Sequence, residues 1–215
     1  MEGLRITRNL AVAGFAGSLA GAAALHIGWA HRVDTVRHTF SDYALSDGAG
    51  PVFTGTVACL TAGSTVLLAG IVRSGLPVGA PARALLGAWC GGLALTAVCR
   101  TDPPDGAPTV RGLVHRYAAG AALAALPAAG LLIAGRLDGL PGRRATARSL
   151  RRTSWAGTAA GLGFLCAHLC TTAPDTPARR SVSRCLGLAE RVTLGLETGL
   201  LFLLAGVLRT DGTGT

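Results

Sequence analysis

Lysine is absent from this chain, and charge of either sign is scarce. Charged residues make up 14% of the 215, well below the roughly 25% that a water-soluble domain carries. That shortage excludes an ordinary soluble globule. All 20 basic residues are arginine, against 11 acids. A lack of lysine reads as the mark of a GC-rich bacterial genome rather than as a chemical requirement. The net charge of +9 and pI near 10.5 would suit nucleic acid if the arginines formed one patch. They are scattered at the ends of apolar runs instead, where they suit anionic headgroups and set topology. Nucleic acid is therefore excluded as a partner, and the lipid bilayer is expected. The chain also has no Walker loop, GxGxxG, HExxH or GxSxG. No loop is large enough for a soluble catalytic domain, so any activity lives among the helices.

What the chain does have is apolar length: 50% hydrophobic residues, a mean hydropathy of +0.46, and abundant Gly and Ala. The reading is all-α, a polytopic membrane protein, with residues 1–215 forming one domain. Six spans are predicted at about 9–30, 51–72, 84–99, 117–135, 154–172 and 186–208, most near the roughly 20 residues that a hydrocarbon core of about 30 Å requires. The third is short and is expected to reach back past Pro81. The first is too long for a signal-peptide core and reads as a retained anchor. Arg136, Arg143, Arg144, Arg148, Arg151 and Arg152 form the densest basic cluster. That loop is expected on the cytoplasmic side of a bacterial plasma membrane, together with both termini and Arg209.

Three tandem helical hairpins are expected, because the even-numbered spans end alike: Leu67–Arg73, Leu131–Arg136 and Leu203–Arg209. The third and fifth spans also exit alike, through 99–105 and 170–176. Four small-residue pairs, Gly17/Gly21, Gly87/Gly91, Gly157/Gly161 and Gly195/Gly199, predict tight helix packing. Six cysteines include no CxxC pair. Cys99, Cys170 and Cys185 lie near the outer face, where a disulfide persists if one forms, but unpaired packing residues are the simpler reading.

Polar residues collect on one side. All five histidines and most acids face the loops after the first, third and fifth spans. In the first loop, Thr39-Phe-Ser-Asp42 has the form of a helix capping box. That makes a short interfacial helix, anchored by Trp29, Phe40 and Tyr43, or else makes Ser41 and Asp42 members of a polar site with His31 or His38. In the second loop, Asp102 before Pro103 is a turn signal, yet Asp102 and His115 share one boundary and suit an acid/base pair or a metal. In the sixth span, Glu190 and Glu197 are seven apart and share a face, while Arg191 points elsewhere. Glu197 falls near mid-bilayer, where an ionisable group must face the bundle interior or a wet cavity. His26 and His168, inside spans, read as packing residues.

The ordered set His38–Leu45, Cys99–Asp102, His115 and Gly187–Arg191 resembles a family of bacterial membrane proteins known as domain of unknown function 998. The likeness covers nearly the whole chain through short motifs in a fixed order. It implies a six-helix bundle and no activity.

Two functions are expected from these residues. One is a multi-pass membrane protein that binds a small molecule, ion or lipid at its extracytoplasmic helix ends, with Ser41, Asp42, Asp102, His115, Glu190, Arg191 and Glu197 as the polar set. Here Arg111, Arg116 and Arg191 would pair with acids between hairpins, and Glu197 would be a proton or cation station. The other is a metal-assisted hydrolase of a lipid or small amphiphile. There a divalent metal would sit on Asp102, His115 and His38, Asp42 or Glu190 would be the base, and Ser41 would be an oxyanion donor.

Overall fold

A computed structural model describes residues 2–103, 106–172 and 176–208, with the backbone alone at Thr172. Regular structure among them is entirely helical. In order it comprises α1 (Glu2–Gly28), a 3-10 helix (Phe40–Leu45), α2 (Ala49–Arg73), α3 (Ala80–Val98), α4 (Val110–Leu137), α5 (Arg144–Thr172), α6 (Pro177–Ser183) and α7 (Leu186–Val207). Arg209, Asp105 and much of the 170–176 exit lie outside the described residues.

Local chemistry sets the boundaries. α3 does reach back past Pro81, which occupies its first turn, where no amide donor is needed. Gly48 (φ 76°) and Gly79 (φ 80°) turn the chain into α2 and α3 through backbone angles that favour glycine. Thr109 caps α4, its hydroxyl accepting from the Gly112 amide at 3.1 Å. α5 begins ten residues before the expected span. Arg144–Arg152 holds no Gly or Pro, and its arginine-rich turns are good helix formers although hydropathy passes over them. α6 was not expected, being a single capped helix too short to show periodicity.

Among the described residues, α1, α2, α3 and α4 are long and apolar enough to cross a membrane. α5 and α7 are also long, at 29 and 22 residues; α5 is the more polar of the two, while α7 is as apolar as α1–α4 on average but carries charge along its length. Every 18-residue stretch of α7 includes Glu190, Arg191 and Glu197. The outward faces are apolar where a soluble bundle would be charged: Leu10 and Leu19 of α1, Leu95 and Val98 of α3, and Leu162 and Leu165 of α5 are all exposed. Such a surface suits acyl chains rather than water.

α1 packs on α2, α3 on α4, and α5 on α7. α2–α3 and α4–α5 contacts join these pairs, and α7 closes the ring on α1 while touching α2 and α4. Phe15, Trp89, Leu126, Leu200 and Leu204 fill the interior. The Trp89 indole donates to Ser64 Oγ at 2.9 Å, tying α3 to α2.

The small-residue pairs are only partly where helices meet. Gly17 and Gly21 face Cys59 and Thr56 of α2, and Gly157 and Gly161 face Pro127 and Thr193. Gly87, Gly91, Gly195 and Gly199 have open space around them. The closest crossings lie elsewhere. A Cβ at Gly14 would meet Gly63 Cα at 2.7 Å, and one at Gly92 would meet the Ala118 carbonyl at 2.7 Å. All six cysteines, including Cys99, Cys170 and Cys185, are free thiols.

Candidate functional site

Loop one folds back over the start of α7. The Asp42 carboxylate accepts from the Thr39 amide at 2.7 Å, the return bond of a capping box, and the Thr39 and Ser41 hydroxyls share a bond at 2.9 Å. These bonds hold the 3-10 helix that carries Phe40 and Tyr43 inward. Ser41 and Asp42 are thereby spent on local backbone geometry. Glu190, half-buried beneath, accepts from the Phe40 amide. The Leu188 amide donates to the Val36 carbonyl at 3.0 Å. Gly187 is required here because a Cβ would strike the His38 carbonyl.

Arg191 is the hub. Its Nε donates to His26 Nε2 at 2.9 Å, and Nη1 donates to the His38 carbonyl at 2.7 Å and to the Gly187 carbonyl at 3.0 Å. A guanidinium only donates, so His26 Nε2 bears no proton. Nδ1 then donates to the Ala22 carbonyl at 2.7 Å. The guanidinium carbon lies 5.8 Å from the Tyr43 ring centroid, within cation–π range. Two polar atoms at this hub are buried without a partner, Arg191 Nη2 and the Tyr43 hydroxyl.

The second polar group is separate. Asp102 clamps Thr109, accepting from its hydroxyl at 2.6 Å and its amide at 2.9 Å. Those bonds hold its carboxyl below the usual carboxylate range. A Cβ at Gly112 would overlap that carboxylate, so glycine there makes room for the clamp. Asp34 is lowered as well, chiefly by the Val36 amide at 2.9 Å. His115 is buried, and its Nδ1 donates to the Cys99 carbonyl at 2.8 Å, satisfying the exposed end of α3. Between the two groups stand Phe40 and Phe53, 5.6 Å apart, with His115 6.5 Å from Phe53.

The expected polar residues thus divide. Ser41, Asp42, Glu190 and Arg191 gather under loop one. Asp102 and His115 each serve their own hairpin, and Glu197 lies deeper in α7. His38 contributes its carbonyl, while its ring is exposed. No three His, Cys, Asp or Glu side chains among the described residues are placed to hold a metal ion, so Asp102, His115 and His38 are not assembled as a centre. Arg111, Arg116 and Arg191 form no ion pairs among the described residues. The loop pairs are Arg32–Asp47 and Arg37–Asp34, both at 3.5 Å. Two members of the hub carried no sequence signal: His26, read as packing, and Tyr43, read as an interfacial anchor but fully buried. Their own helical positions said nothing about α7.

A family model described as "Protein of unknown function (DUF998)" matches residues 12–207. No curated protein and no solved structure matches the chain.

Proposed function

We propose, for a chain that belongs to the DUF998 family and so inherits no assigned activity, a single-domain, six-span membrane protein that binds a small acceptor-bearing ligand under loop one. The carrying observation is the pair of unpartnered polar atoms at the Arg191 hub. Arg191 is already held by His26 and two carbonyls, so its remaining Nη2 is a fixed donor. The Tyr43 hydroxyl is a second. A carboxylate or phosphate oxygen would accept from both, and a guanidinium fork favours such an oxyanion. An amphiphile fits the reading because the flanking helix faces are apolar.

Purified protein should be stabilised saturably against heat by oleate or a lysophosphatidate, and not by neutral monoolein. Tyr43→Phe, which removes one hydroxyl, should weaken that effect about tenfold, the loss of one hydrogen bond of roughly 1–1.5 kcal/mol. Equal shifts from all three amphiphiles in wild type would defeat the proposal.

Orientation belongs to the same proposal. α5 and α7 join α1–α4 as spans, the polar loops face outward, and both termini and the Arg136–Arg152 segment are cytoplasmic. Arg143 Nη1, at 3.3 Å from the Val207 carbonyl, and Arg151, paired with Asp138 at 3.1 Å, belong to this basic end. In a cysteine-free background, Val36→Cys should react with an impermeant maleimide on intact cells. Reaction only after permeabilisation would invert the topology.

A further inference from the structure

The segment between α5 and α7 takes no part in the Arg191 hub. Residues 172–186 carry three arginines, Arg179, Arg180 and Arg184, against one acid, Asp175. Pro177 opens α6, which packs on α5 and presents these arginines. Arg180 and Arg184 stand four apart, so two like charges share one side and repel. Loop one adds a fourth. The carbonyls of Val36 and His38 are held at the start of α7 by the Leu188 amide and by Arg191. Arg37, between them, lines the same cavity as Arg184.

That cavity has a volume of about 390 Å³. Arg37, Arg179, Arg180 and Arg184 line it together with Thr171 and Ser183, and no acid does so among the described residues. Asp34 balances Arg37 at 3.5 Å, which leaves the arginines of the α6 segment in excess over Asp175. The cavity shares Cys170 and Arg179 with a second, apolar one of about 310 Å³. There Leu162, Leu165, Cys166 and Leu169 recur at spacings of three and four, which makes one stripe of α5. All four are exposed. Seven residues of helix span about 10 Å, a length that fits inside one leaflet of a core about 30 Å thick.

We propose that this junction binds one anionic glycerophospholipid. Arg37, Arg179, Arg180 and Arg184 hold its phosphodiester, and one acyl chain lies along Leu169, Leu165 and Leu162. Guanidinium groups match phosphate oxygens in pairs, and the excess of arginine over acid calls for a negative charge. A free phosphate would leave the leucine stripe uncovered. A zwitterionic lipid brings its own cation and leaves that excess uncompensated. Arg191 and Tyr43 line neither cavity, so this site is separate from the ligand under loop one.

The test is thermal unfolding of the full chain in dodecyl maltoside, titrated with dioleoylphosphatidylglycerol or dioleoylphosphatidylcholine. The glycerol lipid should raise the Tm saturably and the choline lipid should not. Arg180→Gln with Arg184→Gln should move the midpoint at least tenfold higher. Both side chains are exposed, so the variant should fold. Arg148→Gln with Arg152→Gln removes as much charge at the opposite end of α5 and should leave the midpoint in place. Equal shifts from the two lipids overturn the site, as does the same shift from inorganic phosphate. A midpoint moved equally by both arginine pairs reduces the effect to bulk charge and overturns it too. A midpoint moved by Tyr43→Phe but not by the Arg180 and Arg184 changes assigns the lipid to loop one instead.

Discussion

Gly63→Ala is expected to cost the protein about 3 kcal/mol, the upper end of the usual overpacking range. A Cβ at Gly63 would lie 2.8 Å from the Ala11 carbonyl and 3.0 Å from the Phe15 ring. The obstructing carbonyl is backbone, so no rotamer change relieves it and α1 must move away from α2. That movement would disturb Phe15, which meets Phe202 of α7 edge to face at 5.5 Å. Gly87→Ala is the control, because open space surrounds that position. It should be neutral or gain up to about 1 kcal/mol from helix propensity. Unfolding by sodium dodecyl sulfate in mixed micelles measures both. If the two variants behave alike, the close crossing is not what holds this hairpin.

Arg191→Ala should be comparably severe, at about 3 kcal/mol. It strips donors from His26 Nε2 and from the carbonyls of His38 and Gly187. Hydrogen bonds to a charged group contribute about 1.5–3 kcal/mol each, and water reaching the helix end offsets part of the sum. Arg191→Lys keeps the charge but cannot span three acceptors from one planar group, so it should recover less than half. The discriminating measurement is a double-mutant cycle with His26→Ala. The two side chains come from opposite ends of the chain, and a coupling of about 1 kcal/mol or more is expected. A coupling near zero would mean that α1 and α7 are held by packing alone.

Much of the scaffold is legible one helix at a time. Apolar runs predict where helices lie, because burying backbone in an apolar setting demands internal hydrogen bonding. Pro81 and Thr39-Phe-Ser-Asp42 announce a helix start and a capped turn through bonds that span only a few residues. The grouping of His and acidic residues at one set of helix ends is equally visible, and the Arg191 hub lies at those ends. α6 and the early start of α5 escape detection because polar helical turns carry no hydropathy signal.

The site composition follows a different rule. Asp102 and His115 look like a pair in sequence, yet Thr109 and the Cys99 carbonyl are nearer partners and satisfy them first. His26 and Tyr43 look ordinary, yet α7 brings Arg191 to both.

By itself the sequence determined the helical class, the position of each long apolar run, the grouping of polar residues at one set of helix ends and the family, since each depends on composition or on residues close in the chain. The tertiary structure alone decided which glycines meet backbone, which side chains complete the Arg191 hub, and that the Glu197 carboxyl is buried without a partner. Those are relations between faces of different helices. A helical period specifies a face only relative to its own axis, and nothing in it says which neighbour that face will meet.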